Sequence, residues 1–370
     1  MSKMDKPIRI LHVVTYMGRG GLETMLMNYY RNIDRDKVQF DFLTHRDFEA
    51  DYDQEIKDLG GKIYHLPQLN PFSPSYLKDL DQFFREHREY KIVHSHLDCM
   101  AGIPLKYAER NGVPVRIAHA HNSNQIRDKK YILKIYFKRN IKKYATHLFA
   151  CSREAGKWMF ATDNFQVLNN AIDARKYVYN ADVRKKVRDE FGIATNTLVF
   201  GHVGRFSAQK NHKFLIEIFK NISDVHPDSI LMLVGEGELQ QNIREKVQRA
   251  GLKNKIIFTG VRSDVSRLLQ AMDVFIIPSL FEGLPVVLIE AQAAGLPCLI
   301  SERVPDECEK VPGLVHQLNL NNNEKKWAKA ALRYTSTKRR NTLKEIVDAG
   351  FDIKSSVQEL QQFYMNSILV

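Results

Sequence analysis

Short apolar segments alternate with amphipathic helical segments along most of the chain, and this alternation occurs in two series. The first series starts at Ile8–Val14 and the second at Leu198–Phe206, with a break near Phe165–Ala181. Short apolar runs bounded by glycine or proline are typical of buried parallel strands, and strands separated by helices are typical of βαβ units. The pattern predicts an α/β protein with two doubly wound, Rossmann-like domains.

The predicted strands indicate where ligands should bind. In the first series they are 8–14, 38–44, 62–66, 91–96, 113–121 and 145–152, and in the second 198–206, 229–237, 255–260, 274–279 and 297–301. We expect an N-terminal domain over 1–168 and a C-terminal domain over 172–350, with a final helix 352–370 packing back on the first. Ligands of such sheets bind at the carboxyl ends of the strands. Two domains facing each other would form a cleft between them.

The composition excludes several classes of protein. The hydrophobic content of 44% and the charged content of 26% are typical of a soluble globular chain. No apolar run approaches the ~20 residues that span a bilayer, and the N-terminus lacks the apolar stretch of a signal peptide. We therefore expect a cytoplasmic protein. The four cysteines form no CxxC pair, so neither a zinc site nor a disulfide framework is expected.

A carboxylate inside an apolar segment is the clearest sign of a ligand site. Proline at 285 and glycine at 295 predict a helix over 285–294. The amides at its start favour an anion such as a phosphate, and they belong to Val286, Val287 and Leu288. Glu290 lies one turn further on the same face, where it would accept hydrogen bonds from two hydroxyls of a sugar. The alternative is that Glu290 pairs with a nearby basic residue and that Glu282 is merely exposed.

Several motifs resemble the retaining nucleotide-sugar glycosyltransferases of family 4, which have GT-B architecture. The segment EGLPVVLIE resembles the E-x7-E element of that family. The other matching segments, in family order, are MGRGGLET, HAHNS, CSREAGKWM, LNNAIDARKY, HVGRFSAQKN, LVGEGEL and PSLFEGLP. The resemblance covers about residues 8–368, and within the family the sequence is similar to bacterial enzymes that build capsular or exopolysaccharide repeat units.

The resemblance implies a retaining, metal-independent hexosyltransferase that uses a UDP-hexose or UDP-N-acetylhexosamine donor and no further cofactor. The expected acceptor is a growing glycan, attached to a polyprenyl diphosphate or free. The N-terminal domain would bind the acceptor and the C-terminal domain the donor. No protein nucleophile is generally required in this family, because the departing phosphate takes the acceptor's proton.

The resemblance implies catalytic roles for four residues, namely His121, Glu282, Arg205 and Lys210. Arg205 and Lys210 would bind the diphosphate and stabilise its charge as the sugar bond breaks. Glu282 would hold the hydroxyls of the sugar, and His121 would form a hydrogen bond with the transferred sugar or its departing oxygen. On so basic a protein the two cations could instead be a surface pair, and a lone histidine is more often structural.

The remaining donor-binding residues are also carried over from the resemblance. Glu290 is expected to bind the ribose, and Arg262 to lie beside the nucleobase. The glycines of 235–237 would leave room for a base or a sugar, whereas those of 20–21 permit close approach of a ligand or form a plain turn. Glu23 is expected to cap the first helix, and the pair at 94 and 96 to line the cleft at most. The full set is Gly20, Gly21, Arg205, Lys210, Gly235, Glu236, Gly237, Arg262, Glu282, Gly283, Leu284, Val286, Val287 and Glu290.

The basic segment 127–144 suggests an anionic partner. Lys130, Lys134, Lys138 and Lys142 recur every fourth residue and would line one stripe of a helix, where like charges repel. Aromatic and aliphatic residues lie between them, and the chain has a net charge of +12. The combination favours peripheral contact with the inner face of an anionic plasma membrane. The alternative is a solvated helix with one face in the core.

Three other functions compete with glycosyl transfer. A nucleotide-sugar epimerase shares the two-domain architecture but converts its donor without an acceptor. A dinucleotide oxidoreductase is disfavoured, because TYMGRGGLET contains no G-x-G-x-x-G and no acidic residue follows at the usual distance. A nucleic-acid binder is suggested only by charge, since no binding motif supports it, and no nucleic-acid partner is expected.

Overall fold

The computed structural model describes residues 6–122 and 131–368. The chain forms two compact units, of which unit 1 contains Met1–Ala171 and Asp352–Val370 and unit 2 contains Ile172–Phe351. Each unit is built around one parallel sheet, so the predicted class of two doubly wound α/β domains is confirmed.

The strands of unit 1 are β1 Ile8–Val13, β2 Val38–Thr44, β3 Ile63–His65, β4 Ile92–Ser95, β5 Val115–Ala120, β6 His147–Ala150 and β7 Gln166–Val167. The strands of unit 2 are β8 Leu198–Val203, β9 Ser229–Val234, β10 Ile256–Gly260, β11 Val274–Ile277, β12 Cys298–Ser301 and β13 Val315–Leu318.

The helices of unit 1 are α1 Gly21–Asn32, α2 Asp53–Asp58, α3 Pro74–Glu86, α4 Gly102–Arg110, α5 Tyr131–Lys138, α6 Ile141–Tyr144, α7 Arg153–Phe160 and, at the end of the chain, α15 Ile353–Asn366. The helices of unit 2 are α8 Ala181–Glu190, α9 His212–Val225, α10 Gln240–Arg249, α11 Val265–Ala271, α12 Val286–Ala293, α13 Glu324–Tyr334 and α14 Leu343–Asp348. Short 3₁₀ turns occupy Asp98–Met100, Ala174–Tyr177, Ala208–Lys210, Lys253–Lys255 and Asp306–Cys308.

The strand order reverses once in each sheet. The order is β3-β2-β1-β4-β5-β6-β7 in unit 1 and β10-β9-β8-β11-β12-β13 in unit 2. The reversals fall between β1 and β4 and between β8 and β11. In doubly wound sheets ligands bind beyond the carboxyl ends of the strands at such a switch point. The topology therefore marks one candidate site in each unit.

Both faces of each sheet are covered by apolar clusters. Successive residues of one strand therefore pack into different clusters. In β1, Ile10 belongs to one apolar cluster and Leu11 to another. In β8, Val199 and Phe200 are divided in the same way. Side chains alternate across a sheet, so burial on both faces requires the continuous apolar runs from which the strands were predicted.

Helix α15 completes unit 1 although it is the last helix of the chain. Tyr364 is fully buried, and its hydroxyl lies 2.7 Å from Nδ1 of His94 in β4. The amide of Asp34, which follows α1, donates to Oε1 of Gln361 at 3.0 Å. Both contacts join α15 to elements of the first sheet or the helix beside it.

The prediction of a single basic helix over 127–144 is wrong in one respect. Helix α5 ends at Lys138, and α6 begins at Ile141 after a turn in which the amide of Asn140 donates to the carbonyl of Phe137 at 3.0 Å. Lys142 therefore lies on a different helix from Lys134, and the single stripe is interrupted. Residues 127–130, including Lys130, lie outside the described residues.

Two edge strands were missed by the sequence analysis. Strand β7 contains two exposed residues, and β13 contains four residues that are half-buried or exposed. Neither has the continuous apolar run on which the other predictions depended, and neither contains a buried residue. Both lie at the ends of their sheets, away from the switch points.

Candidate active site

The loops that follow β8 and β11 contact each other at the switch point of unit 2. The amide of Leu280 donates to the carbonyl of Gln209 at 2.8 Å, and Nδ2 of Asn211 donates to the carbonyl of Pro278 at 3.1 Å. These bonds bring together two predicted residues that lie far apart in the sequence. Nζ of Lys210 donates to Oε1 of Glu282 at 2.6 Å.

Glu282 is buried, and its partner Lys210 is half-buried. The lysine side chain is 17% exposed and the glutamate side chain 5% exposed, and Nε2 of Gln209 donates to the second carboxylate oxygen at 3.2 Å. The alternative that Glu282 is merely exposed is therefore wrong. A buried carboxylate needs partners of this kind, and here they orient it at the end of the sheet.

Arg205 has a different environment from Lys210. Its side chain is 68% exposed, and its Nε donates to Oε2 of Glu238 at 3.2 Å. Its guanidinium is thus held over the loop that follows β9. The structure brings Lys210 and Glu282 into contact but does not add Arg205 to that pair.

Glu290 lies buried on α12. Its Oε1 accepts a hydrogen bond from the hydroxyl of Tyr177 at 2.7 Å. Within the described residues it forms no ion pair, so the predicted alternative of a basic partner is not what the structure has. Burial raises the pKa of Glu290 to about 7, and the tyrosine hydrogen bond opposes this shift. Tyr177 was not predicted as a site residue, although it ends the quoted motif LNNAIDARKY.

The start of α12 differs slightly from the prediction. Pro285 is the N-cap, with φ −70° and ψ 110°, so the helix begins at Val286. The amide of Leu288 donates to the carbonyl of Pro285 at 2.9 Å and is not available to an anion. The amides of Val286 and Val287 remain as first-turn donors, which have no partner inside an α-helix. Gly295 follows the C-cap with φ +63°, as predicted.

The residues between Glu282 and α12 are held by the chain beyond β12. The amide of Glu282 donates to the carbonyl of Arg303 at 3.3 Å, and Sγ of Cys308 donates to the carbonyl of Gly283 at 3.7 Å. Leu284 is buried in an apolar core of unit 2. The loop that presents Glu282 is therefore fixed at both ends and by a side chain in the core.

The two positions after β9 require glycine for a different reason from the predicted one. A Cβ at Gly235 would lie 2.4 Å from the carbonyl oxygen of Gly204, and one at Gly237 would lie 2.7 Å from backbone atoms of Phe206. Backbone of the loop after β8 thus fills the space that was assigned to a base or a sugar. The amide of Phe206 donates to the carbonyl of Glu236 at 3.0 Å and fastens the two loops together.

Arg262 is fixed by acidic neighbours. Its Nε and Nη2 donate to the two carboxylate oxygens of Asp264 at 2.8 and 2.9 Å. Arg267 donates to the same carboxylate and to Glu190. The network holds the guanidinium plane beside β10 but occupies two of its donors, which limits what it can offer a nucleobase.

The glycine loop of unit 1 forms the N-terminus of α1. Gly20 is the N-cap, and a Cβ there would lie 2.2 Å from Oε2 of Glu23, so the carboxylate folds back over the helix start. Burial raises the pKa of Glu23 to about 7. No atom lies within 4 Å of a Cβ built on Gly21, so packing within the described residues does not require glycine there.

Five histidines meet at the switch point of unit 1. Nδ1 of His12 lies 3.0 Å from Nε2 of His96, and Nδ1 of His96 lies 2.9 Å from Nε2 of His121. Nε2 of His94 lies 3.1 Å from Nδ1 of His119. His94 and His96 are 1% and 3% exposed, so both rings lie in the interior of unit 1.

Burial keeps these imidazoles neutral. It lowers the pKa of His12 and His121 to about 3 and the pKa of His94, His96 and His119 well below 6.5. Three ring nitrogens have no hydrogen-bond partner among the described residues, namely Nε2 of His12, Nε2 of His119 and Nδ1 of His121.

The cluster also has the distances of a possible metal site. Ligand atoms of His12, His94 and His96 lie within 4.8 Å of one another, as do those of His96, His119 and His121. Within each group, however, one pair of nitrogens faces at 2.9 to 3.0 Å. That separation fits an N–H···N hydrogen bond, in which the nitrogens point at each other.

Asp98 positions the loop that carries His121. Its Oδ1 accepts a hydrogen bond from the amide of His121 at 3.1 Å, and its Oδ2 accepts one from Nδ2 of Asn122 at 2.5 Å. Asp98 has a φ of +46°, which is uncommon for a residue other than glycine. The sequence analysis missed this residue, and the only signal was its place after the strand segment KIVHSH.

Two domain families match the chain, one mainly in unit 1 and one in unit 2. Residues 19–176 match the family described as Glycosyltransferase Family 4, and residues 183–346 match Glycosyl transferases group 1. EpsF of Bacillus subtilis (strain 168), a proposed glycosyltransferase, is 36% identical over an alignment of 370 positions that covers 96% of this chain and 96% of EpsF.

A second relative and a solved structure extend the comparison. The UDP-Gal:alpha-D-GlcNAc-diphosphoundecaprenol alpha-1,3-galactosyltransferase of Escherichia coli is 28% identical over 100% of both chains. Anabaena Alr3699/HepE, solved in complex with UDP and glucose, has a TM-score of 0.78 and 19% identity, and the match covers 97% of this chain and 100% of that one. The chain therefore belongs to the GT-B glycosyltransferases.

Proposed function

We propose that this enzyme transfers a hexosyl unit from a UDP-sugar to a growing, lipid-linked glycan in capsular or extracellular polysaccharide synthesis, with retention of the anomeric configuration. The contact between Lys210 and the buried Glu282 at the switch point of unit 2 is the observation that carries the proposal. The relative from Escherichia coli uses UDP-galactose and a lipid-diphosphate acceptor by its name, which favours the same classes of substrate here.

The donor would lie at the carboxyl edge of the second sheet. Lys210 and Arg205 would stabilise the diphosphate as negative charge develops on it, together with the amides of Val286 and Val287. Glu290 would accept hydrogen bonds from the ribose hydroxyls, replacing the one it receives from Tyr177 or adding to it. Each carboxylate then has a polar partner, as burial requires.

The reaction would proceed without a protein nucleophile. The bond between C1 of the sugar and the β-phosphate oxygen breaks, and the acceptor oxygen forms a bond to C1 on the same face. The acceptor's proton passes to the departing phosphate oxygen, so UDP and the lengthened glycan are the products. Both oxygens of Glu282 already accept hydrogen bonds, which favours a role in holding sugar hydroxyls over attack on C1. His121 would contact the transferred sugar.

The donor assignment is tested with radiolabelled UDP-glucose, UDP-galactose and UDP-N-acetylglucosamine, each with and without a lipid-diphosphate glycan acceptor. We expect acceptor-dependent transfer from one donor, and a product whose linkage keeps the α configuration of the donor by NMR. Conversion of the donor in the absence of acceptor would identify an epimerase instead. Isothermal titration with UDP alone gives a second measurement, and no binding would reject the donor site.

The acceptor is proposed to be reached at a membrane surface through α5 and α6. Ile132 and Tyr136 are 83% and 61% exposed and lie one helical turn apart, and Lys142 and Lys143 are exposed on the next helix. An amphipathic segment with apolar and basic exposed residues is suited to an anionic bilayer surface. Among the described residues no helix is long and apolar enough to cross a membrane.

A further inference from the structure

The five histidines of unit 1 form two separate hydrogen-bonded rows. The His121 row consists of His12, His96 and His121, joined at 3.0 and 2.9 Å. The Tyr364 row consists of Tyr364, His94 and His119, joined at 2.7 and 3.1 Å. The first row starts inside β1 and ends at the residue after β5, which is the one predicted to act on substrate.

The two contacts of the His121 row join the same kinds of ring nitrogen in the same order. Each joins Nδ1 of one ring to Nε2 of the next, first from His12 to His96 and then from His96 to His121. A neutral imidazole has one N–H and one lone pair, so each contact needs a proton on one of its two nitrogens only. If His12 donates from Nδ1, His96 must accept at Nε2 and carry its own proton on Nδ1. That proton binds Nε2 of His121, whose proton is then also on Nδ1.

Only two proton arrangements satisfy both contacts. All three rings carry the proton on Nδ1, or all three carry it on Nε2. A mixed arrangement would place two lone pairs or two N–H groups face to face and lose a hydrogen bond in the interior, which is costly. The tautomer of His121 is therefore coupled to that of His12, although the two rings do not bond to each other.

The environment of the two ends selects one arrangement. Nε2 of His12 is buried and has no partner among the described residues, and its ring lies 4.2 Å from that of Phe40. Buried N–H groups without an acceptor are rare in proteins, so the interior end favours a lone pair. Nδ1 of His121 is also buried and has no partner among the described residues, but it lies just beyond the carboxyl end of β5, at the edge of the sheet where ligands bind, so a ligand there can accept its proton.

We propose that His96, itself held by His12, is a positioning residue that fixes His121 as the Nδ1–H tautomer and so makes it a hydrogen-bond donor to the transferred sugar. The role at the sugar rests on the proposed function, whereas the tautomer does not. A ring nitrogen's protonation is set by the bond that the other nitrogen makes. Rates fall by orders of magnitude where a catalytic histidine is held in the wrong tautomer.

The tautomers are measured by solid-state NMR of protein labelled with ¹⁵N-histidine, because protonated and unprotonated ring nitrogens have different shifts. In the wild-type protein we expect His12, His96 and His121 to carry the proton on Nδ1. His96→Asn keeps an N–H group near the place of Nδ1 and should retain this state of His121. His96→Leu, of similar size, removes the donor and should release His121 to the Nε2–H form or to a mixture.

His94→Leu is the matched control, because it removes an equally buried ring from the other row. It should leave the ¹⁵N signals of His121 unchanged. In transfer assays we expect kcat to fall about tenfold in His96→Leu with the donor KM little changed, which is the loss of about one hydrogen bond in the transition state. His96→Asn should stay within about twofold of the wild type.

Three results would overturn the proposal. One is a wild-type spectrum in which the three rings do not share the Nδ1–H form. Another is a His96→Leu variant whose His121 signals match those of the wild type. The third is one equivalent of zinc or another transition metal in the purified protein by elemental analysis, since a metal would take the place of the shared protons. Absence of transfer with every UDP-sugar would reject the proposed function but leave the tautomer result intact.

Discussion

Lys210 and Glu282 depend on each other, because the half-buried lysine is a direct partner of the buried carboxylate at the carboxyl edge of the second sheet. Removing either one deletes a charge-assisted hydrogen bond at this edge, at a cost of ~1–3 kcal/mol in the free energy of unfolding. A loss of activity in a single variant therefore mixes a catalytic effect with a folding effect. Neutralising both residues removes the folding effect, so that the activity which is then still missing can be assigned to lost chemistry.

We expect Lys210→Met to lower kcat on the order of 10²–10³-fold, because a cation that stabilises the departing diphosphate is lost. The double variant Lys210→Met/Glu282→Gln should regain thermal stability, since an amide at 282 no longer needs the lysine's charge, but should not regain kcat. The measurement is steady-state transfer beside a thermal melt. Recovery of activity in the double variant would assign Lys210 a structural role only.

Glu290 should make UDP binding depend on pH. Burial raises its pKa to about 7 in the free protein, whereas ribose hydroxyls donate to the ionised form. Affinity for UDP should therefore rise about tenfold between pH 6 and pH 8, as the carboxylate loses its proton. Calorimetry on the wild type and on Glu290→Gln isolates this effect, because any protonation of UDP itself is the same in both experiments. Equal pH slopes for the two proteins would contradict the ribose assignment.

At the scale of elements, loops after parallel strands do most of the positioning. The loop after β8 supplies Lys210 and contacts the loop after β11, which supplies Glu282. Gly235 allows the loop after β9 to approach the loop after β8 so closely that a Cβ would clash with backbone, and its φ of +125° is one that other residues rarely adopt. The site is therefore built by backbone packing as well as by its charged side chains.

Helices α5 and α6 should bind vesicles that contain anionic lipid. We expect the double variant Ile132→Ser/Tyr136→Ser to lower the partition coefficient about tenfold or more, because two exposed apolar side chains no longer enter the bilayer surface. Val225→Ser changes a residue that is also strongly exposed, in unit 2, and should leave binding unchanged. Co-sedimentation with phosphatidylglycerol and with phosphatidylcholine vesicles measures both effects. Binding that ignores lipid charge would reject the membrane surface.

At the scale of the whole molecule, unit 1 should be sensitive to acid. The pKa values of its five clustered histidines lie far below the usual value of about 6.5, so below that pH the unfolded chain binds protons that the folded chain does not. Stability is fully present above pH 6.5 and is lost as pH falls below it. Each such histidine lowers the free energy of unfolding by about 1.4 kcal/mol for each pH unit below its unfolded-state pKa.

We therefore expect the urea midpoint of unit 1 to fall steeply between pH 6.5 and pH 5, and His119→Leu to make that decline shallower. Tryptophan fluorescence can follow it, since Trp158 lies on α7 of unit 1 and Trp327 on α13 of unit 2. A Trp158→Phe or Trp327→Phe background assigns the signal to one unit. A midpoint that stays constant to pH 5 would show that the cluster is hydrated or charged in solution.

The element pattern was largely readable from the sequence, because apolar periodicity and glycine or proline boundaries are local properties. The strand Val38–Thr44 was predicted with the bounds that the structure has, and Gly295 ends α12 as expected. Local pattern failed where an element lacks an apolar run, as in β7 and β13. It also failed where a turn interrupts a periodic charge pattern, between α5 and α6.

The sequence by itself determined two α/β units and the segments that carry their candidate residues. Tertiary structure alone decided the partners of those residues. Lys210 and Glu282 are 72 positions apart, Tyr177 and Glu290 are 113 apart, and His12 and His96 are 84 apart. Strand order brings the first and third pairs together, since it places β8 beside β11 and β1 beside β4, whereas the second pair is formed where the 3₁₀ turn Ala174–Tyr177 packs against α12. Apolar periodicity in the sequence indicates which face of an element is buried. The residue that a side chain on that face contacts depends on which element becomes its neighbour.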